Sequence, residues 1–149
     1  MAPEMNGSLW FSKAREELGV TEIPGDMDNP RIIEYHSATS LKAPDDETPW
    51  CSAFVNWCFQ QVGIKGTNLA NARSWQTWGQ ELAEPRLGCV VVLWRENRNS
   101  PKGHVAFYVG PDDANPQKIR LLGGNQGDRV SIAGYDKSRV LSYRWPPAA

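Results

Sequence analysis

Residues 48–63 read TPWCSAFVNWCFQQVG and largely determine how the chain folds. Thr48 is a good helix cap, Pro49 suits the first helical position and Gly63 suits a left-handed stop. Between them, apolar residues recur at spacings of three and one, which places them on one broad helical face. These residues are Cys51, Phe54, Val55, Cys58, Phe59 and Val62. The stretch predicts an amphipathic α-helix that packs on a core or a sheet.

The rest of the chain predicts helices first and strands afterwards. Helical patterns cover residues 8–18, 31–35 and 72–78, and Ser8 is the expected cap of the first helix. Strand patterns cover residues 88–94, 104–109, 118–122, 130–133 and 140–144. The connections between these strands are short, which favours antiparallel pairing. The order predicts an α+β fold, with N-terminal helices and the helix of residues 48–63 packed on a mainly antiparallel sheet of about five strands.

The composition indicates one soluble domain. The chain has 149 residues, 40% of them hydrophobic and 22% charged, which is enough for one core and too short for two ordinary domains. The formal net charge of -1 argues against nucleic-acid binding through bulk charge. The N-terminus has no basic region followed by an apolar stretch, so we expect synthesis in the cytoplasm without a signal peptide and no stable membrane insertion. Three cysteines and two histidines argue against a disulfide scaffold and a metal site.

Cys51 is the strongest candidate for chemistry. It lies at about the third position of the predicted helix, where unpaired N–H groups and the helix dipole stabilise an anion. A thiolate at such a place has a lowered pKa and is a nucleophile, and the N–H of Cys51 is placed to donate to an oxyanion. Cysteine is also a common buried apolar residue, so position alone leaves a core role open. Cys58 and Cys89 are interpreted as core residues.

A cysteine nucleophile needs a base, and the two histidines differ in context. His104 follows Gly103 and opens an amphipathic strand, so its ring is expected at a sheet edge that faces a helix terminus. A histidine at a sheet margin without any catalytic role is the alternative. His36 follows a short predicted helix and is expected to be exposed to solvent.

A third residue would orient the imidazole and fix its tautomer. The segment Gly123-Gly124-Asn125-Gln126 ends the strand after that of His104, and Asn125 offers a carbonyl to the ring N–H. The two glycines let the backbone pass close to a neighbour. A plain turn is the alternative for this segment, and Gln126 and Asp128 are alternative orienting residues.

Several segments together resemble a known group, the papain-like cell-wall hydrolases of the CHAP and NlpC type. Residues 46–58 are similar to the nucleophile helix of that group, residues 103–110 to its histidine strand and residues 123–126 to its third-residue segment. Residues 17–25 and 29–32 are similar to a compact single-domain branch found in phage endolysins. The resemblance runs from about Ala14 to Leu141 and implies a papain-like fold.

The resemblance implies a cysteine amidase or peptidase that hydrolyses an amide bond of peptidoglycan. Cys51 would attack, His104 would act as base and then as acid, and Asn125 would orient His104. The bond would be the N-acetylmuramoyl-L-alanine amide or one within the stem peptide. Two other interpretations stay open: a Cys-His acyl transferase or deamidase acting on protein, and a catalytically inactive wall-binding module.

The resemblance also implies that no cofactor and no metal are needed. Some CHAP domains bind calcium through acidic residues before the cysteine, but Asp45, Asp46 and Glu47 lack the alternate spacing of a calcium loop. Papain-like enzymes carry an upstream glutamine for the oxyanion hole, and this region has none. The second oxyanion donor is therefore not assigned.

Seven tryptophans are many for a chain of this length. Trp50, Trp75 and Trp78 are candidates for a substrate-binding groove beside Cys51, and Gln126 is a further substrate-binding candidate. Core packing is the alternative, and the favoured one, for any single tryptophan. Trp57 and Trp94 are interpreted as structural.

We expect residues 1–149 to form a single catalytic domain, with residues 1–7 flexible and no separate cell-wall-binding domain. Peptidoglycan would be the substrate, and the protein is expected to be a monomer. It would act at the cell wall or in the periplasm, either after release as a phage endolysin or after delivery as a bacterial effector. A delivered effector would also meet an immunity or inhibitor protein.

Overall fold

The computed structural model describes residues 8–23, 29–39, 50–100 and 102–147, and within these ranges the fold is α+β as predicted. The α-helices are α1 (Leu9–Glu16), α2 (Pro30–His36) and α3 (Cys51–Gln60). Two 3-10 helices are Ala72–Thr77 and Lys137–Arg139. The strands are β1 (Gln80–Leu82), β2 (Val90–Trp94), β3 (Gly103–Pro111), β4 (Lys118–Gly123), β5 (Ser131–Asp136) and β6 (Val140–Trp145).

The strands form one antiparallel sheet in the order β1-β6-β2-β3-β4-β5. The sheet was expected to have about five strands, and within the described residues it has six. The additional strand, β1, is three residues long and pairs with β6 at the edge of the sheet. A strand of this length, with two exposed polar residues, is too short to show an alternating pattern in the sequence.

Local sequence explains where the helices begin and end. The Ser8 side chain caps α1 by accepting from the N–H of Phe11 at 3.4 Å. The Asn29 side chain caps α2 by accepting from the N–H of Arg31 at 2.8 Å, and Pro30 takes the first helical position. Gly63, just beyond α3, has the left-handed φ of 76° that its position predicts.

The start of α3 differs from its prediction. Trp50 is the residue before the helix and makes no side-chain capping hydrogen bond. Cys51 is therefore the first residue of α3 rather than about the third. As the first residue of the helix, Cys51 still has an N–H without an acceptor within the helix, so this position still stabilises an anion. The predicted cap Thr48 and the predicted helical residue Pro49 lie outside the described residues.

The core forms where α3 packs between the other helices and one face of the sheet. Residues 51–59 of α3 are all buried. The Phe59 ring lies 5.8 Å from that of Phe107 on β3, between ring centroids, and 5.3 Å from that of Trp10 on α1. Burial of these large aromatic surfaces fixes α3 against β3 and directs the first residue of the helix toward the first residues of the strand.

The burial of two cysteines and one histidine tests the predictions made for them from the sequence. Cys58 and Cys89 are fully buried, which confirms their interpretation as core residues. His36 is only 1% exposed, so the prediction of a solvent-exposed histidine is wrong. Its position four residues after Ile32 places it on the face of α2 that packs on the core, and tertiary packing covers that face.

Three further expectations lie outside the described residues, namely the flexibility of residues 1–7, the cap of α3 and the role of the acidic residues 45–47. Within the described ranges, none of the helices has both the length and the apolar content needed to cross a membrane.

Candidate active site

Cys51 and His104 are brought together by the packing of α3 on β3. Cys51 is the first residue of α3 and is 7% exposed, and His104 is the second residue of β3 and is 6% exposed. The imidazole lies within hydrogen-bonding reach of the thiol. The structure therefore places the two predicted residues side by side, close to the protein surface but shielded from bulk water.

The thiol of Cys51 is held in an environment that favours the thiolate. Burial is the largest influence and by itself raises the pKa of the thiol. The charge of His104, a hydrogen bond with its ring and hydrogen bonds from the backbone of Val105 and Ser52 act in the opposite direction. The net result is a pKa of Cys51 below its ordinary value. A thiol with a depressed pKa next to an imidazole is the arrangement that a cysteine nucleophile requires.

Gln126 holds the other side of the imidazole. Its Oε1 lies 2.8 Å from Nε2 of His104. Its amide nitrogen donates to the carbonyl oxygens of Leu121 at 3.2 Å and Ser131 at 2.7 Å. Because two carbonyls accept from the nitrogen, the oxygen must be the atom that faces the ring, and Nε2 of His104 must carry the proton. This leaves Nδ1 to accept from the thiol of Cys51.

Asn125 does not take the orienting position that the sequence predicted for it. The backbone of Asn125 is left-handed, with a φ of 60°, and this residue lines the cleft beside Cys51. The neighbouring Gln126, one of the two alternatives considered for this role, makes the contact with His104. Gln126 was also expected to bind substrate, which its 5% exposure and its three hydrogen bonds within the protein contradict.

The predicted close approach at the two glycines is confirmed. A Cβ atom on Gly124 would lie 2.7 Å from ring carbons of Trp50 and 2.8 Å from Cβ of Phe54. A Cβ atom on Gly123 would lie 2.7 Å from Cβ of Ala106. Only glycine allows the backbone after β4 to pass this close to the start of α3, and that approach brings Gln126 to His104.

The three tryptophans predicted to line a substrate groove do not reach the cleft. Trp50 and Trp75 are fully buried, so the groove prediction is wrong for both. Trp50 donates from Nε1 to Oε2 of Glu22 at 2.8 Å, and Trp75 donates from Nε1 to Oγ of Ser52 at 2.9 Å. Trp78 is half-buried and donates to the carbonyl oxygen of Lys65 at 3.0 Å, away from Cys51. All three find polar partners for the indole nitrogen inside the protein.

An open cleft of about 590 Å³ gives access to Cys51. One wall comes from residues 70–72, which precede and begin the first 3-10 helix. The buried hydroxyl of Ser52 donates to the carbonyl oxygen of Leu69 at 2.7 Å, and Trp75 packs behind it, so this wall is fixed to α3. Residues of the β2–β3 connection, Asn125 and Arg139 complete the cleft.

Tyr135 is a neighbour of the site that sequence reasoning missed. Its ring stacks on that of His104 at 5.3 Å between centroids and 28° between planes. Burial first, and then the charge of Cys51, raise the pKa of Tyr135 to about 12, against the lowering effect of Arg139 and Arg95. Tyr135 lies on β5, thirty-one positions after His104 in the sequence, and only the pairing of β3, β4 and β5 brings the two together.

Comparison with known structures supports the fold. A lipoprotein of the NLP/P60 family from Staphylococcus aureus superposes with a TM-score of 0.56 and 15% sequence identity. The match covers 99% of this chain and 45% of that protein, so the present chain spans less than half of its length. No curated protein matches the sequence.

Comparison with protein families gives a direct assignment. Residues 43–125 match the CHAP domain, and the match contains Cys51, His104 and Asn125 and ends one residue before Gln126. The structural likeness agrees with this family match at the level of the fold. Because the match covers more than half of the sequence, the chain belongs to the CHAP domain family.

Proposed function

We propose that this protein hydrolyses an amide bond in the peptide part of peptidoglycan, with Cys51 as the nucleophile and His104 as general base and then acid. The observation that carries the proposal is the thiol of lowered pKa beside an imidazole held by Gln126, at an open cleft. Gln126 takes the orienting role first expected of Asn125. Membership of the CHAP family supports peptidoglycan as the substrate.

The reaction would run in two half-reactions. His104 accepts the proton of the Cys51 thiol at Nδ1, and the thiolate sulfur attacks the amide carbonyl carbon. The N–H of Cys51, which has no acceptor within the helix, donates to the oxyanion. The imidazolium then gives its proton to the leaving amine as the C–N bond breaks, which leaves a thioester on Cys51.

Water completes the cycle. His104 accepts a proton from a water molecule, and the resulting hydroxide attacks the thioester carbonyl. The C–S bond breaks, the product leaves as a carboxylic acid and the proton returns to the Cys51 thiolate. Throughout both steps Gln126 holds Nε2–H of His104, so the ring keeps Nδ1 toward the sulfur.

The test is a digest of purified peptidoglycan followed by mass spectrometry of the soluble fragments. We expect the unaltered protein to release fragments, and Cys51→Ala and His104→Ala to reduce release by at least about 100-fold. Free stem peptides with an L-alanine N-terminus would identify an N-acetylmuramoyl-L-alanine amidase. A cut between two residues of the stem would identify an endopeptidase.

The same digest separates the competing functions. If the unaltered protein releases nothing and binds the polymer, it is a wall-binding module. If it neither releases fragments nor binds the polymer, but deamidates a protein or transfers an acyl group to one, the proposed substrate is wrong. If either Ala variant retains full release while folded, as judged by circular dichroism, the assigned nucleophile or base is wrong.

Peptidoglycan as the substrate places the activity at the cell wall or in the periplasm. An endolysin released from an infected cell and an effector delivered into a rival cell would both meet the polymer there. We propose the endolysin-like role first because the resemblance of residues 17–25 and 29–32 is to that compact branch.

A further inference from the structure

The cleft beside Cys51 carries an excess of positive charge. Four charged side chains line it, and they are Arg95, Glu96, Lys102 and Arg139. Glu96 pairs with Lys102 at 3.1 Å, so these two charges balance each other. Two guanidinium groups are left. The formal net charge of the chain is -1, so this positive field is local to the cleft and does not reflect an excess over the whole protein.

Neither guanidinium has a carboxylate partner among the described residues. The ion pairs found there involve Glu16, Glu17, Glu34 and Glu96, and none includes Arg95 or Arg139. Arginine at an exposed surface often has no partner. Here two such guanidinium groups line one cleft, next to the thiol that is proposed to attack substrate. A ligand bound in that cleft would contact both groups, which a single exposed arginine does not offer.

Arg139 is held in place by its surroundings. Its Nε donates to the carbonyl oxygen of Trp94 at 3.2 Å. Its guanidinium carbon lies 5.8 Å from the ring centroid of Trp94 and 5.6 Å from that of Tyr135. These contacts fix the side chain with its Nε edge turned to the protein, and the terminal nitrogens stay available for a ligand.

The β2–β3 connection, which carries Arg95, is held as well. Arg73 donates to the carbonyl oxygens of Lys102 at 2.9 Å, Arg98 at 2.9 Å and Asn97 at 3.1 Å. Arg95, Arg139 and Cys51 all line the same cleft. A ligand in that cleft would meet both guanidinium groups, one on a held side chain and one on a held loop.

We propose that Arg95 and Arg139 bind a free carboxylate of the substrate beside the amide that Cys51 attacks. The planar fork of a guanidinium matches a carboxylate with two parallel hydrogen bonds, whereas a neutral carboxamide would place N–H groups against N–H donors. The enzyme would therefore select acidic stem peptides over the same peptides with that carboxylate amidated. The inference rests on the proposed function and specifies which substrates the same site accepts.

The experiment uses three muramoyl tetrapeptides. One carries free carboxylates on its glutamyl residue and at its C-terminus, one is amidated at the glutamyl carboxylate, and one is amidated at the C-terminus. We expect one amidation to lower kcat/KM of the unaltered protein by about 10- to 100-fold, which corresponds to the loss of a charge-assisted hydrogen bond. Arg95→Gln and Arg139→Gln should lower kcat/KM for the acidic peptide and abolish the preference.

Two controls keep the result specific. Lys65→Gln removes one positive charge beyond the opposite end of α3 and should keep the full preference. Arg139→Lys keeps the charge but loses the fork, and should retain only part of the preference. If both amidated peptides are cut as fast as the acidic one, the carboxylate inference is overturned and the proposed function stands.

A binding measurement separates the inference from the proposed function. Calorimetric titration of Cys51→Ala protein with the three peptides measures recognition without chemistry. If the unaltered protein cuts none of them but Cys51→Ala protein binds the acidic peptide about tenfold or more tightly, the carboxylate site stands and the proposed function falls. Equal affinities for the three peptides, or no binding of any, would overturn the carboxylate site.

Discussion

Cys51 and Cys58 lie in the same helix and have opposite chemical characters. Burial raises the pKa of Cys58, and the nearby carboxylate of Glu17 raises it further. Burial also acts on Cys51, but the charge and hydrogen bond of His104, together with backbone hydrogen bonds from Val105 and Ser52, outweigh it and lower the pKa. The reactivity of Cys51 therefore depends on a partner from another element, and the helix start alone does not produce it.

Selective alkylation tests this difference as a function of pH. The thiolate is the reactive form, and a lowered pKa means that Cys51 forms its thiolate at lower pH than an ordinary thiol and loses it as the pH falls through that pKa. The pKa of Cys89 is raised, mainly by burial, to about 12, so its thiolate is absent at neutral pH. With iodoacetamide between about pH 5 and pH 9, peptide mapping by mass spectrometry should show Cys51 as the labelled residue.

The matched control is His104→Ala. Without the imidazole, burial dominates at Cys51 and raises its pKa, so labelling should need a higher pH. Equal labelling rates for Cys51, Cys58 and Cys89 in the folded protein would show that Cys51 is not a selectively stabilised thiolate. An unchanged pH profile of Cys51 in His104→Ala would show that the imidazole does not lower its pKa.

Single residues were predictable where the signal is local. The positions of Cys51 at a helix start and His104 at a strand start follow from periodicity and from helix and strand boundaries, so the sequence was enough to place them there. The burial of His36 depends on which face of a seven-residue helix meets the core, and this is a property of the tertiary structure.

The turn after β4 decides which side chain reaches the histidine. Asn125 and Asp128 in this turn have left-handed φ values of 60° and 61°, and Gly127 has 69°. A left-handed residue changes the direction of the chain, and here it sends Asn125 to the cleft and Gln126 inward. Sequence pattern locates the turn but does not give its dihedral angles, so it placed the orienting residue one position away.

Substitution of Gln126 and Asn125 tests this assignment. Gln126→Ala frees the ring of His104, so we expect kcat to fall on the order of 100-fold. Asn125→Gly keeps the left-handed backbone and removes a side chain that makes no hydrogen bond to His104, so kcat should change by less than about threefold. Steady-state kinetics on a soluble stem-peptide substrate measures both. The reverse order of effects would return the orienting role to Asn125.

The tryptophans show a second limit of predicting helices and their faces from the sequence. The spacing of Trp75 and Trp78 places them near each other, and their rings are indeed 4.8 Å apart between centroids. Spacing does not say which side of the 3-10 helix faces the core. Trp75 is turned inward, where its Nε1 meets Ser52, and so it supports the cleft wall from behind.

At the scale of the whole molecule, the site depends on parts of the chain that lie outside the CHAP match. Residues 43–125 contain Cys51 and His104, but Gln126, Tyr135 and Arg139 follow later in the sequence. Strand β6 lies between β1 and β2 in the sheet, and α1 packs against both α3 and β6. We infer that the described elements form one cooperative unit.

Trp10 is the residue that joins these parts, and its removal tests the cooperative unit. Its Nε1 donates to the carbonyl oxygen of Gly88 at 2.7 Å, and its ring lies 5.3 Å from Phe59 and 5.0 Å from Trp145 between centroids. Trp10→Ala should lower the free energy of unfolding by about 3–5 kcal/mol in urea, with fluorescence and circular dichroism following one transition. Leu9→Ala, at a position 60% exposed, should cost less than about 0.5 kcal/mol. Two separate transitions would mean that α1 unfolds independently of the sheet and α3. That outcome would contradict a single cooperative unit.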